Sequence, residues 1–172
     1  MNPVAKSRTY RMILCALFAA LIAVGAFLRV PIPYVPFTLQ TFFVALAGLL
    51  LGKKLGAVSA LVYMAIGLIG IPVFTEGGGI AYVLKPTFGY IVGFVLGAYV
   101  TGAIARKVET PSLGRLIAAV FAGFGVTYLL GMTYFYFMSN FYLGKAIGVG
   151  TVLLYCFLVF VPGNGVMGVI AA

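Results

Sequence analysis

Apolar residues run in long blocks separated by short polar or proline-containing breaks. The blocks fall near residues 12–30, 37–52, 55–72, 87–105, 115–137 and 146–161. A helix that crosses a bilayer needs roughly 20 mostly apolar residues, so each block is expected to be a membrane helix. Pro31, Pro33 and Pro36 are expected to end the first helix and hold an extended connection to the second. Pro72 ends the third helix and Pro86 starts the fourth, where its missing N–H is harmless. After the sixth block the chain meets Pro162-Gly163-Asn164-Gly165, and the ten residues Gly163 to Ala172 reach only about half of a bilayer at ~1.5 Å rise each. The pattern therefore predicts an all-α integral membrane protein. One transmembrane domain covers residues 1–172, a bundle of six transmembrane helices with the last helix incomplete.

Charge orients the bundle. With the N-terminus in the cytoplasm, the inner side receives Lys6, Arg8, Arg11, Lys53, Lys54, Arg106, Lys107 and Arg115. The outer side receives Arg29, Lys85 and Lys145. Basic residues concentrate on cytoplasmic loops, so an inward N-terminus in a multi-pass cell-membrane protein is expected. The first block, Met12 to Val30, is too long for the apolar core of a signal peptide and is read as the first membrane helix.

Composition narrows the function. The chain is 64% hydrophobic and 8% charged, with a mean hydropathy of +1.21. Soluble domains carry about 45–50% apolar and about 25% charged residues, and no hydrophilic stretch here is long enough for a soluble catalytic domain. The net charge of +9 does not indicate nucleic acid, because the basic residues sit at block ends, where they anchor helices to lipid headgroups. Cys15 and Cys156 lie inside apolar blocks and read as small hydrophobes. With no His and two acidic residues, neither a metal site nor a His-based catalytic triad is expected, and the chain is read as a non-enzyme. An ion-coupled carrier would need acids or histidines within the membrane. Polar groups gather instead at the outer helix ends, as in a binding pocket that opens outward.

Four motifs are candidates for function. Ala16 and Ala20 stand four apart on the first helix, and small residues at that spacing let another helix approach. They serve either packing within this chain or docking of a partner subunit. Phe37, Thr38 and Gln40 lie at the outer mouth of the second helix, as an interfacial anchor and cap or as ligand contacts. In KPTFGYIVGF, residues 85–94, Lys85 precedes the fourth helix and Tyr90 lies about one turn inside. Gly89 and Gly93 clear a surface for close approach. Lys85 is either a headgroup anchor or a cation for a carboxylate. The Pro162–Gly165 turn is a simple helix break or a cavity-lining stretch that presents Asn164. Residues 73–86, with three glycines, form the longest outer loop.

The run VPFTLQTFFVALAGLLLGKKLGAVSALVYMAIGLIGIPVF, KPTFGYIVGF and the FVPGN turn resemble the BioY family of biotin transporters, over about residues 10 to 165. BioY proteins are the substrate-binding S components of energy-coupling factor transporters. The resemblance implies six membrane helices, a biotin pocket near the outer face, and docking through the alanine-rich first helix. It also implies partners: a transmembrane coupling subunit and two cytoplasmic ATPase subunits. No G-x-x-x-x-G-K-[ST] loop is present, so ATP hydrolysis falls to those partners. No cofactor is implied, and biotin is the transported ligand. The family usually reads Pro-Gly-Asp with a Lys three residues later, where this chain has Asn164 and Met167.

Biotin sets demands on such a pocket. Its carboxylate calls for a cation or a helix N-terminus, which Lys85 and its helix offer. Its ureido ring matches the amides of Asn164 and Gln40, and its apolar rings match walls of Phe37, Tyr82 and Tyr90. Residues 73–84 are the expected lid, its glycines permitting movement and Glu76 keeping it hydrated. An S component for a different vitamin would share this architecture and is the alternative.

Overall fold

The computed structural model describes residues 7–108 and 110–172. Lys6, counted above among the inner charges, lies outside them.

Helix α1, Arg8–Phe27, begins one turn earlier than its apolar block because Ser7 caps it, accepting a hydrogen bond from the Tyr10 N–H at 3.1 Å. It stops at Phe27, before the prolines. Arg29–Val30 (β1) then pairs antiparallel with Phe37–Thr38 (β2), Arg29 opposite Thr38. The proline-rich link is thus extended, as expected, and folds back as a small hairpin over one end of the bundle. Within it Tyr34 takes a left-handed φ of 73° and packs edge-on to Phe135 and against Tyr155.

Helix α2, Gln40–Leu68, contains one residue outside helical geometry, Gly52, with φ 83° and ψ 176°. Glycine reaches this conformation without the Cβ clash other residues meet. The chain reverses there. A Cβ placed on Gly56 would lie 2.8 Å from the carbonyl oxygen of Ala47, nine residues back, so the two arms are folded against each other. Arg106 donates to the carbonyl of Leu49 at 3.3 Å and also to that of Leu50. Those carbonyls lose their helical partners at the reversal, and a basic side chain is a suitable substitute.

Helix α3, Phe88–Ala105, is packed on both sides, against α2 and against α4, Leu113–Phe137. The glycine spacing of the sequence works as expected. A Cβ on Gly93 would sit 2.8 Å from the Thr127 carbonyl oxygen on α4. The Thr127 hydroxyl bridges the seam, donating to the carbonyls of Gly93 (3.1 Å) and Gly123 (3.0 Å). Small residues that let membrane helices touch backbone to backbone gain dispersion contacts and hydrogen bonds that lipid cannot supply.

The α4 helix continues through a π-helical turn, Met138–Tyr142. The remaining chain forms α5 (Val149–Cys156), a 3₁₀ turn (Leu158–Phe160) and α6 (Val161–Ala171). This corrects the expectation for the end of the chain. The Pro162–Gly165 segment is not a break: it is the first turn of α6, where Pro needs no N–H partner. The interruption comes earlier, at Phe157 (φ −137°, ψ −65°). Val149–Ala171 together make 23 residues, long and apolar enough to cross a membrane, rather than half of it.

Five such stretches occur among the described residues: Arg8–Phe27, Gln40–Leu68, Phe88–Ala105, Leu113–Tyr142 and Val149–Ala171. Large apolar side chains such as Leu17, Leu96, Leu129 and Ile170 face outward. Lipid solvates such a surface. The chain is therefore a multi-pass, helical membrane protein.

Candidate functional site

The end of the bundle beneath the β1–β2 hairpin holds a small cavity of about 50 Å³, partly open to solvent. Its walls come from the hairpin, both arms of α2, the loop after it, α3, α4 and the 3₁₀ turn. Val35 and Thr38 enter from the hairpin, Gln40, Thr41 and Tyr63 from the two arms of α2, and Thr75 and Tyr82 from the loop after α2. Thr87, Tyr90, Ile91 and Phe94 come from the start of α3, Tyr128 from α4 and Phe160 from the 3₁₀ turn. The mixture of aromatic faces with hydroxyls and one amide suits a small molecule with both apolar and hydrogen-bonding parts.

Two buried networks fix the polar groups. In the first, Thr38 Oγ1 donates to Gln40 Oε1 at 3.3 Å, Gln40 Nε2 donates to the Tyr63 hydroxyl at 2.7 Å, and Tyr63 donates to the Val73 carbonyl at 3.1 Å. This chain ties both arms of α2 to the following loop. In the second, Thr41 Oγ1 donates to Asn164 Oδ1 at 3.2 Å, and Asn164 Nδ2 donates to the Tyr128 hydroxyl at 2.5 Å. It joins α2, α4 and α6. Satisfied buried networks of this kind hold side chains in one arrangement.

Of the residues expected at the site, Thr38, Gln40, Tyr82 and Tyr90 do line the cavity. The other three are not among its lining residues. Phe37 stacks on Phe160 with ring centroids 5.7 Å apart. Asn164 is buried and reaches the cavity through Thr41 and Tyr128. Lys85 is half-exposed and forms an ion pair with Glu76 at 2.7 Å, its ammonium 5.1 Å from the Tyr82 ring centre.

The expected lid is built differently from a free glycine loop. Phe74 is buried between Tyr63 and Tyr82, with centroids 5.4 and 4.6 Å away. Phe74 and Gly77 pair as an isolated bridge, and Arg29 donates to the Thr75 carbonyl. Gly77 and Gly79 have φ values of 111° and 101°, so these glycines serve a tight turn. Glu76, expected to keep the loop hydrated, is the partner of Lys85.

Sequence reasoning missed Thr41, Tyr63, Thr87 and Tyr128. Thr41 and Thr87 lay inside motifs already singled out, beside Gln40 and Lys85. Tyr63 and Tyr128 sit in the middle of apolar blocks, where no local signal separates a cavity wall from a core aromatic.

On α1, Ala16 and Ala20 are exposed. With Ala19 and Ala23 they border a shallow apolar groove closed on the other side by Val62, Ile66 and Val73. Cys15 and Cys156 are free thiols, both buried.

This architecture and sequence have relatives. The chain is 51% identical over 135 residues, 78% of its length and 69% of the relative's, to a probable biotin transporter BioY of Lysinibacillus sphaericus. It is 44% identical over 146 residues, 83% of each chain, to the biotin transporter BioY of Thermotoga maritima. A crystal structure of the S-component for biotin from an ECF-type ABC transporter superposes with a TM-score of 0.84 at 29% identity, covering 99% of this chain and 90% of that one. The BioY family profile matches residues 1–172. With the family profile and the sequence relatives in agreement, the protein belongs to the BioY family.

Proposed function

We propose that the protein is the biotin-binding membrane subunit of a vitamin uptake transporter. It captures biotin at the outer face and passes it inward with an ATP-driven partner module. The observation that carries this reading is the cavity of aromatic faces, hydroxyls and an amide at one end of an apolar bundle, in a chain that belongs to the BioY family. Biotin's bicyclic ring packs against Tyr82, Tyr90, Phe94 and Phe160. Its ureido carbonyl accepts from Tyr128, whose hydroxyl accepts from Asn164 and keeps its own proton to donate. The ureido N–H groups meet the amide oxygen of Gln40. Phe37 backs Phe160 and so shapes the apolar wall.

The carboxylate is assigned to Lys85. Its ammonium already holds one carboxylate, that of Glu76, and the tail of biotin exchanges for it. Exchange of one anion for another frees the loop at Glu76, which couples ligand arrival to movement of residues 73–84. The pair is 40% and 49% exposed at its side chains, so water screens it and the exchange costs little.

The bundle crosses the membrane six times in this reading, because the arms of α2 on either side of Gly52 each make a crossing. Lys53 and Lys54 then mark the cytoplasmic side with Arg106, and Arg29, Lys85 and Lys145 mark the outer side. Docking of a transmembrane coupling subunit falls to the groove at Ala16 and Ala20, and two cytoplasmic ATPases supply the energy.

The test is equilibrium binding of radiolabelled biotin to the purified protein in detergent, alongside a panel of other vitamins. Saturable binding of biotin alone is expected. Preference for another vitamin, or no binding of biotin, overturns the proposal.

A further inference from the structure

We propose that Thr87 is a specificity-determining ligand contact, its hydroxyl donating a hydrogen bond to a carboxylate oxygen of the bound molecule. The inference rests on the biotin-binding reading and adds to it a residue that reading does not use.

Thr87 lines the cavity. Its Oγ1 is buried and makes no hydrogen bond, and among the described residues it is the buried side-chain oxygen or nitrogen in that condition. Buried polar groups in folded proteins nearly always have partners, and one left without a partner calls for an explanation.

Local structure makes the orphan more telling. Thr87 occupies the cap position at the start of α3, where a threonine hydroxyl ordinarily turns back to accept from the first free N–H groups of the helix. Ser7 and Ser112 do so at the starts of α1 and α4, with ψ of 144° and 155°. Thr87 has φ −76° and ψ −12°, already helical, and its side chain caps nothing. The hydroxyl is thus held away from the bond its position favours and kept in the cavity wall.

The acceptor follows from the surroundings. Neighbouring hydroxyls spend their protons within the protein: Thr41 on Asn164, Tyr63 on the Val73 carbonyl and Tyr90 on the Cys156 carbonyl at 3.2 Å. Thr87 stands at the positive end of an 18-residue helix, two residues from Lys85. A donor in that field favours an anionic acceptor. Lys85 then supplies charge and Thr87 direction, holding the same carboxylate from two sides.

The test compares biotin with biotin methyl ester, whose tail carries no charge, on the purified full chain. Thr87→Val keeps the shape and removes the hydroxyl. It is expected to weaken biotin about tenfold while changing methyl ester affinity by less than about threefold. Thr87→Ala must give the same split, and Thr87→Ser must hold biotin affinity within about threefold of the original. The ligand-free Val variant is expected to unfold at no lower temperature, since an orphaned buried hydroxyl is gone. Equal losses for the two ligands, or no loss for biotin, overturn the role of Thr87 while leaving the biotin reading in place. An original protein that binds no biotin sinks both.

Discussion

Along α3 and α4 two backbones meet through Gly89, Gly93, Gly97 and Gly123, with Thr127 hydrogen-bonded across the seam. The segment from α5 to α6 is seated on the same bundle through side chains: Phe160 on Phe37 and Tyr128, Phe157 on Tyr128, and Asn164 between Thr41 and Tyr128. Backbone cannot yield without moving a whole helix, whereas side chains can change rotamer. The difference divides the cavity into a fixed wall, from α3 and α4, and an adjustable one, from the last segment.

Substitution at matched glycines is the strongest way to break that comparison. Gly93→Ala drives a methyl group into the Thr127 backbone, and overpacking of this kind costs about 1–3 kcal/mol. A clear drop in the unfolding temperature of the detergent-solubilised protein is expected. Gly168→Ala meets only the ring edges of Phe121 and Phe124, at 3.3 Å or more, and should leave that temperature close to the original. Equal sensitivity at both sites would erase the distinction.

Next in size is Asn164→Leu. It leaves Thr41 and Tyr128 without their shared partner, and a buried group so stranded costs about 1–3 kcal/mol. Biotin affinity should fall at least about tenfold, while the protein still elutes as one species in gel filtration. Unchanged affinity would remove Tyr128 from the ureido contact. Lys85→Ala follows, with a loss of about three- to tenfold that shrinks as salt is raised. If affinity holds, the carboxylate assignment to Lys85 fails. Ala20→Leu should have the least effect on binding, none beyond error, yet reduce biotin uptake by cells that supply the partner subunits. Normal uptake would argue that α1 packs against lipid alone.

The fold was legible wherever lipid dictated it. Block lengths located the long helices, prolines located the extended link after α1, and the spacing of Gly89 and Gly93 announced the α3–α4 seam. The last segment was misread because Pro162 and three close neighbours resemble a break. Proline costs nothing in a first helical turn, and the real interruption, at Phe157, depends on tertiary packing that no local residue type signals. The site was half legible. Polar residues at helix ends, Thr38 and Gln40 among them, stood out against an apolar background. Tyr63 and Tyr128 did not, because in a membrane helix a tyrosine facing a cavity and a tyrosine facing a neighbour occupy the same kind of apolar run. Glu76 was legible as a charge but not as the partner of Lys85, since nine residues and a glycine turn separate them.

The reversal at Gly52 also bears on how the chain enters the membrane. The arm from Gln40 to Leu51 is about 18 Å long at ~1.5 Å per residue, short of the ~30 Å of hydrocarbon a lone helix must cross, and its side chains are mostly buried by neighbours rather than offered to lipid. Insertion machinery that samples one helix at a time would find it a poor candidate. Folded on the second arm, with Lys53 and Lys54 at the tip, it becomes half of an apolar hairpin that goes in together or not at all. If each arm makes its own crossing, as proposed, the glycine guards parity: were the two arms to straighten into one rod, every later segment would face the wrong side.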